Sequence, residues 1–386
     1  MQGNRKHISY PLLLAIVVVV TSGSAVSGRY EAGFRLPRTE YSTATTLTMV
    51  FAGDIMAHEV NYIREPYDPI YQGIRDLIWD ADFSFANLEF VFDPDKPPRS
   101  YPYFNAPVDY VEAAVRGGFN VFSLANNHSL DMGRESIVYT RAEMDNLSKG
   151  HRLYYSGTCT TPEERFKPCF FEAAGVRIGY LAVTSFLNTH VDDEYVNVVP
   201  YYEKEAVDAF IDRLSEETAK SDLFILSYHG GVEYSREPVE WKRELFRRFI
   251  DAGVDIVWGH HPHVVQQWET HVTPGGEKLI LYSTGNLISG QSWTAGPDGG
   301  SRDRDGTGES ALFSVEIVIR DNGVTAQRVK AVPIFNYRDP DAGMVVKRFD
   351  ELSAVELSDK WALYYRDRLA DLETQLFDGS SWSFDR

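Results

Sequence analysis

The chain has 386 residues, 43% of them hydrophobic and 24% charged, which excludes both a disordered chain and a small disulfide-stapled scaffold. Lysine and arginine total 38 against 56 aspartates and glutamates, a net charge of -18 that repels phosphate backbones and excludes a general nucleic-acid binder. The first 28 residues stand apart from the rest. Arg5 and Lys6 precede an apolar run from Pro11 to Val20 and then the small residues Ser22 to Gly28, the pattern of a signal peptide or an uncleaved N-terminal anchor. Both readings place the remainder outside the cytosol, secreted or anchored at the membrane.

From Thr46 onward one pattern repeats: a short apolar strand, a polar break at its C-terminal end, then a segment with amphipathic helical spacing. That alternation predicts a layered α/β fold. The strands fall at Leu47–Ala52, Phe83–Leu88, Val121–Ala125, Ile178–Val183, Leu223–Tyr228, Asp255–Trp258, Leu279–Ser283 and Leu312–Ile319. Helices are predicted over Ile70–Trp79, Val108–Arg116, Gly133–Lys149, Lys204–Lys220 and Val239–Ala252, with Gly117-Gly118 and Gly253 as C-caps. Between the third and fourth strands, Cys159 and Cys169 share one Pro-bearing polar stretch. In an exported chain they are expected to close a short disulfide loop, two independent thiols being the plain alternative. Gln291 to Ser310 reads as a solvated insertion near the site, a lid being the sharper alternative. Ala354 to Leu376 has the spacing of an amphipathic helix that packs on the domain.

The residues just past the strands carry the chemistry. Gly53-Asp54, Glu89, Asn126-Asn127-His128, His229-Gly-Gly231, Gly259-His-His-Pro-His263 and Gly285-Asn286 each follow a predicted strand, and in α/β sheets that rim is where ligands bind. Five of the ten histidines stand there. Each motif has a plain alternative: a turn for Gly53-Asp54, a solvated acid for Glu89, a satisfied core imidazole for His229. Converging carboxylates and imidazoles repel and shift one another unless a cation sits among them. A mixed Asp, Glu, Asn and His set suits Mn, Fe or Zn better than Ca or Mg, so one or two divalent metal ions are expected. His261-Pro262-His263, read as an extended segment, presents two imidazoles to one side. Asn127 can offer an amide oxygen, His128 can act as an acid oriented by Asp131, and the glycines after His229 leave room for a substrate.

Taken together and in this order, the Gly-Asp, Asn-Leu-Glu, Asn-Asn-His, His-Gly-Gly and Gly-His-His-Pro-His motifs resemble those of the calcineurin-like metallophosphoesterases. They resemble more closely the bacterial CapA branch, the capsule or poly-γ-glutamate synthesis proteins. Phe51–Met56, Phe85–Glu89, Gly118–Gly133, Ser227–Tyr234 and Asp251–His263 carry the likeness, continued by Val264–Gln266 and Tyr282–Asn286. It implies a four-layer α/β/β/α sandwich over residues 46–335; beyond it, the amphipathic pattern makes residues 336–386 a C-terminal helical extension. It also implies two divalent metals held by Asp54, Glu89, Asn127, His229, His261 and His263, with Glu89 bridging. His128, with Asp131, would be the catalytic acid, and Asn126, His58 and Asn286 would line the substrate. Two departures stand out: the superfamily's Asp-x-His is absent, the next imidazole after Asp54 being His58, and Glu89 replaces the usual bridging Asp, as in the CapA branch. The expected function is metal-dependent hydrolysis or transfer in surface-polymer synthesis, on an anionic polymer or phosphoester. A non-catalytic polymer-binding subunit of a membrane-bound synthesis complex and a secreted phosphodiesterase or nucleotidase are the alternatives.

Overall fold

Side chains of β1 (Thr45–Ile55) alternate between two buried clusters: Val50 and Ala52 enter one, Met49 and Phe51 the other. The same division recurs in β2 (Phe83–Leu88), where Ala86 and Leu88 face away from Phe83 and Phe85. Strands buried on both faces need cover on both. A computed structural model describes residues 44–377 except 190–193, 300–303, 305, 321–322 and 356; the expected signal peptide or anchor lies outside the described residues.

β1 and β2 run parallel with β3 (Val121–Ser123) and β4 (Tyr154–Ser156). On the other side of β1 the sheet continues antiparallel through β12 (Glu309–Arg320), β13 (Gly323–Asp339) and β14 (Gly343–Arg348), while the short β11 (Asn286–Ile288) pairs with the end of β1. A second sheet has the order β5 (Cys169–Ala173), β6 (Val176–Thr184), β7 (Leu223–His229), β8 (Ile256–His260), β10 (Gly276–Leu281), β9 (Trp268–Thr273). Its four central strands are parallel.

The two sheets face each other across the cluster that holds Phe51, Phe85, Tyr180, Ile225, Trp258 and Leu281. Trp258 is fully buried there and its Nε1 donates to Ala52 O at 3.0 Å, tying the sheets together. Each such large apolar side chain contributes about 1.5–3 kcal/mol by leaving water. Outside the first sheet lie α1 (Glu59–Tyr62), α2 (Arg75–Trp79), α3 (Val108–Gly117) and α4 (Arg134–Ser148); outside the second, α5 (Lys204–Thr218) and α6 (Glu240–Asp251) cover Leu226, Val257 and Ile280. The result is the four-layer α/β/β/α sandwich.

Three expectations meet a different structure. The first sheet continues through β14, so residue 335 falls inside β13, and the helical part begins only with a 3-10 turn over Phe349–Ala354 and then α7 (Asp359–Phe377). Tyr365, Leu372 and Leu376 of α7 belong to the inter-sheet core, and Arg368 grips Glu309 through two bonds of 2.9 and 2.7 Å. No disulfide joins Cys159 and Cys169. Strand and loop partners hold each thiol where it is: the Cys159 N–H donates to Tyr195 O at 2.9 Å and its thiol to Glu194 O at 3.3 Å, whereas Cys169 pairs with Tyr180 across β5 and β6. Ile70–Trp79 is a 3-10 turn over Asp68–Ile74 that runs into α2. Among the described residues no helix is long and apolar enough to cross a membrane.

Candidate metal centre

Strict alternation along β1 would send Asp54 to the side of Val50 and Ala52. A register shift between Phe51 and Asp54 re-aims it toward the second sheet. Gly53 is compulsory at that bend, because a Cβ there would stand 1.9 Å from Gly285 O, while the Asp54 N–H donates to the same carbonyl at 3.0 Å. On β8 the alternation holds, so His260 follows Trp258 to the inter-sheet side and its ring meets Trp258 at 4.1 Å. His229 ends β7 opposite His260. The C-terminal ends of β1, β2, β3, β7 and β8 thus deliver their side chains to one place.

Asp54, Glu89 and His263 bring one ligand atom each within 4.8 Å of one another, and so do Glu89, His229 and His261. Glu89 is common to both triads. His229 Nε2 lies 3.6 Å and His263 Nε2 3.7 Å from Glu89 Oε1. Asn127 Oδ1 accepts from His229 Nε2 at 2.7 Å, so five expected ligands and the amide of a sixth converge. Asp54, Glu89 and His229 are completely buried. Yet both Glu89 oxygens, Asp54 Oδ2 and His261 Nδ1 have no hydrogen-bond partner. Buried, unpartnered carboxylate oxygens facing imidazole nitrogens are the donor set of a divalent cation, and without one they cost several kcal/mol.

The electrostatics agree. Burial, reinforced by the Asp54 charge, pushes the Glu89 carboxyl well above its ordinary value. For Asp54 burial pushes upward too, but the nearby imidazoles of His260 and His263, 3.1 and 3.4 Å from its oxygens, prevail and hold it well below the usual carboxylate range. Burial keeps His229 and His261 well below an ordinary imidazole and therefore neutral, the form that binds metal.

His261 and His263 differ from the expected extended segment. They lie in the turn beyond β8 with left-handed backbones, φ 91° and 59°. Such conformations cost about 1–3 kcal/mol in non-glycine residues and collect where geometry matters more than stability. His128 Nδ1 stands 2.6 Å from Asp131 Oδ2, which also accepts the Phe104 N–H at 2.7 Å. The ring is thereby fixed, with Phe104 against its edge at 4.6 Å.

Three residues expected to face a substrate are engaged within the protein. Asn286 is fully buried, its Oδ1 3.0 Å from His263 Nδ1 and its amide group donating to Gln291 Oε1 and Thr307 O. Asn126 donates to Leu88 O at 2.7 Å and accepts the His128 N–H, which locks the loop after β3 onto β2. His58 Nδ1 accepts the Gly290 N–H at 3.2 Å, and among the described residues His58 belongs to no ligand triad. Nor does Gly230 leave space for a substrate: Ser185 Oγ fills it, 2.4 Å from where a Cβ would lie.

Sequence reasoning missed the supporting residues. His260 Nδ1 is 3.1 Å from Asp54 Oδ1, and Asn87 donates to the same oxygen at 2.8 Å while lying 3.4 Å from His229 Nδ1. Strand alternation beside Trp258 was the available signal for His260. Glu233, exposed at the mouth, forms a further triad with His261 and His263. Lys242 on α6 is completely buried behind the cluster, donates to His260 O at 3.4 Å, and burial pulls its ammonium down to about 7.

Comparison with known proteins gives this geometry a family. The family model described as bacterial capsule synthesis protein PGA_cap matches residues 48–291. The chain is 26% identical over 340 residues to the capsule biosynthesis protein CapA of Bacillus anthracis, covering 81% of this chain and 72% of that one. It is also 26% identical over 332 residues to the PGA biosynthesis protein CapA of Bacillus subtilis (strain 168), covering 81% of each. Among solved structures, one described as a novel phosphatase from Mycoplasma pneumoniae overlaps 76% of this chain and 95% of its own, with a TM-score of 0.44 and 15% identity. The family match spans both ligand triads and most of the sandwich, and the chain belongs to the bacterial capsule synthesis protein family PGA_cap.

Proposed function

We propose that this protein is an exported, metal-dependent hydrolase-like enzyme of capsule or surface-polymer synthesis, acting on an anionic polymer of the poly-γ-glutamate type or on a phosphoester. The observation that carries the reading is the pair of ligand triads joined at Glu89, whose two oxygens are buried without partners. Asp54, Glu89 and His263 would hold one divalent ion, and Glu89, Asn127, His229 and His261 a second, Mn, Fe and Zn fitting the mixed donors. Bound cations supply Lewis-acid stabilisation of charge developing at phosphorus or a carbonyl. The protein's part is to hold and protonate. Asp131 takes His128 Nδ1, which leaves Nε2 as the nitrogen able to give a proton to a leaving group. That pairing favours an enzyme over a passive polymer holder. Secretion or a membrane anchor would put the site beside a membrane-bound synthesis complex.

Metal analysis of the purified protein tests the centre: stoichiometric divalent metal is expected, falling below one ion per chain in His261→Ala. Metal-free preparations that take up no ion would overturn it. The metal-loaded protein is then assayed on phosphodiesters and γ-glutamyl polymers. His128→Ala should lower turnover about 10²–10⁴-fold with metal content unchanged, the usual worth of a general acid. Unaltered turnover in that variant would remove His128 from the reaction, and no turnover on either substrate class would favour the polymer-holding role.

A further inference from the structure

We propose that Glu233 is the entry ligand of the metal centre: with His261 and His263 it forms an outer cation site through which an ion reaches the two buried triads. The proposal rests on reading those triads as a metal centre. Both are enclosed, with Asp54, Glu89 and His229 completely buried and His261 and His263 only 4% and 2% exposed. A site so enclosed needs a way in.

Glu233 is the exposed member of the third triad, its ligand atom within 4.8 Å of those of His261 and His263. The two histidines are shared inward. His261 belongs also with Glu89 and His229, and His263 with Asp54 and Glu89. An ion held by Glu233 therefore already touches one imidazole of each inner triad, and His261 Nδ1, buried without a hydrogen-bond partner, is a nitrogen with nothing else to bind. The backbone holds the carboxylate in place. Gly231 and Tyr234, with φ of 142° and 62°, bracket Glu233, and the Tyr234 N–H donates to Pro262 O at 2.9 Å. The loop after β7 is thus clipped to the turn that carries both histidines, at the cost of a left-handed tyrosine.

The chemistry of the ligands makes this outer site transient. A neutral imidazole has one nitrogen lone pair, so neither histidine serves the outer and an inner site together, and Glu233 loses its two partners as the inner triads fill. The direction of transfer follows from the carboxylates. Glu233 attracts a cation in water, whereas Asp54 and Glu89 attract it in the buried interior, where the same charges act more strongly. On the α6 side the completely buried Lys242 presents an ammonium, 3.4 Å from His260 O, to a cation arriving from there. The exposed acid is the favourable approach.

Stopped-flow mixing of the metal-free full chain with Co²⁺, whose visible absorption reports coordination, tests the proposal. Glu233→Gln should slow uptake about tenfold or more, within the range over which charge at a site's mouth changes an association rate. Release into excess EDTA should slow by the same factor, so that affinity and the number of ions bound per chain match the parent. The slowing should persist in about 1 M salt, where the Debye length of roughly 3 Å removes general attraction. Glu237→Gln, which neutralises an exposed acid paired with Arg243 at 3.1 Å, should load at the parent's rate. An unchanged melting temperature in Glu233→Gln excludes misfolding. Uptake at the parent's rate in Glu233→Gln, or a slowing that disappears in salt, would overturn the entry role and leave the metal centre standing. Loss of one bound ion in that variant would overturn it too, by making Glu233 a resident ligand. A parent protein that takes up no Co²⁺ would remove the centre and its entrance together.

Discussion

The two ends of β8 carry buried charge in opposite conditions. Just before the strand, Asp255 meets Lys278 at 2.6 Å, and every remaining valence is used: Lys278 also donates to Gly275 O and Val324 O, and Asp255 Oδ2 accepts the Phe224 N–H at 2.8 Å. Just past the strand lie Asp54 and Glu89, equally buried, with three of their four carboxylate oxygens lacking a hydrogen-bond partner. A closed ion pair has no use for a ligand. An open cluster in the same sandwich does, so the difference separates a structural charge from one kept for a cation.

The sharpest way to break that contrast is a pair of substitutions in metal-free protein. Lys278→Ala strands Asp255 in the interior and should cost about 3–5 kcal/mol in urea unfolding. Glu89→Gln removes a charge that has no partner, so stability should hold or rise while metal uptake is lost. Comparable losses in both variants would mean that Glu89 is a structural acid, and the two ends of β8 would be alike.

Those two ends were not equally legible in the sequence. Motifs at the strand ends announced the open cluster because each is local: Asp54, Glu89, Asn127, His229, His261 and His263 all follow apolar runs that the structure finds as strands. The closed pair joins the residue before β8 to β10 and has no local mark. β4, β5, β9, β11, β13 and β14 were not read as strands: β4 and β11 have three residues each, β9 is only partly buried, and β13, the longest, carries Arg328, Lys330 and Pro333 inside it. The left-handed turns at His261 and His263 were not read because no glycine marks them.

Residues behind the ligands sharpen the comparison next. His260 and Asn87 both hold Asp54 Oδ1 and leave Oδ2 open. Replacing either with alanine should lower metal affinity about 10–100-fold, as loss of a supporting partner usually does, with the fold retained. Competition with a chelating dye reads this directly. Unchanged affinity in both would leave Asp54 positioned by the bend at Gly53 alone.

The smallest expected effect is a pH dependence confined to the open cluster. Burial and the Asp54 charge raise the Glu89 carboxyl above its ordinary 4.5, so in metal-free protein its contribution is intact below 4.5 and is lost as pH rises through the folded value. Burial lowers His229 and His261 below their ordinary 6.5, so their contribution is intact above 6.5 and is lost as pH falls toward the folded value. A cation needs the anion of Glu89 and neutral imidazoles, and both requirements favour the higher pH. The rise in melting temperature on adding Mn²⁺ should therefore be larger at pH 7.5 than at pH 5.5, by on the order of 2 °C per kcal/mol of added binding energy. In Glu89→Gln that difference should vanish with the metal effect itself, whereas Lys278→Ala should keep it on a lower baseline. An equal rise at both pH values in the parent protein would show that binding releases no proton, and that the raised carboxyl takes no part in holding the ion.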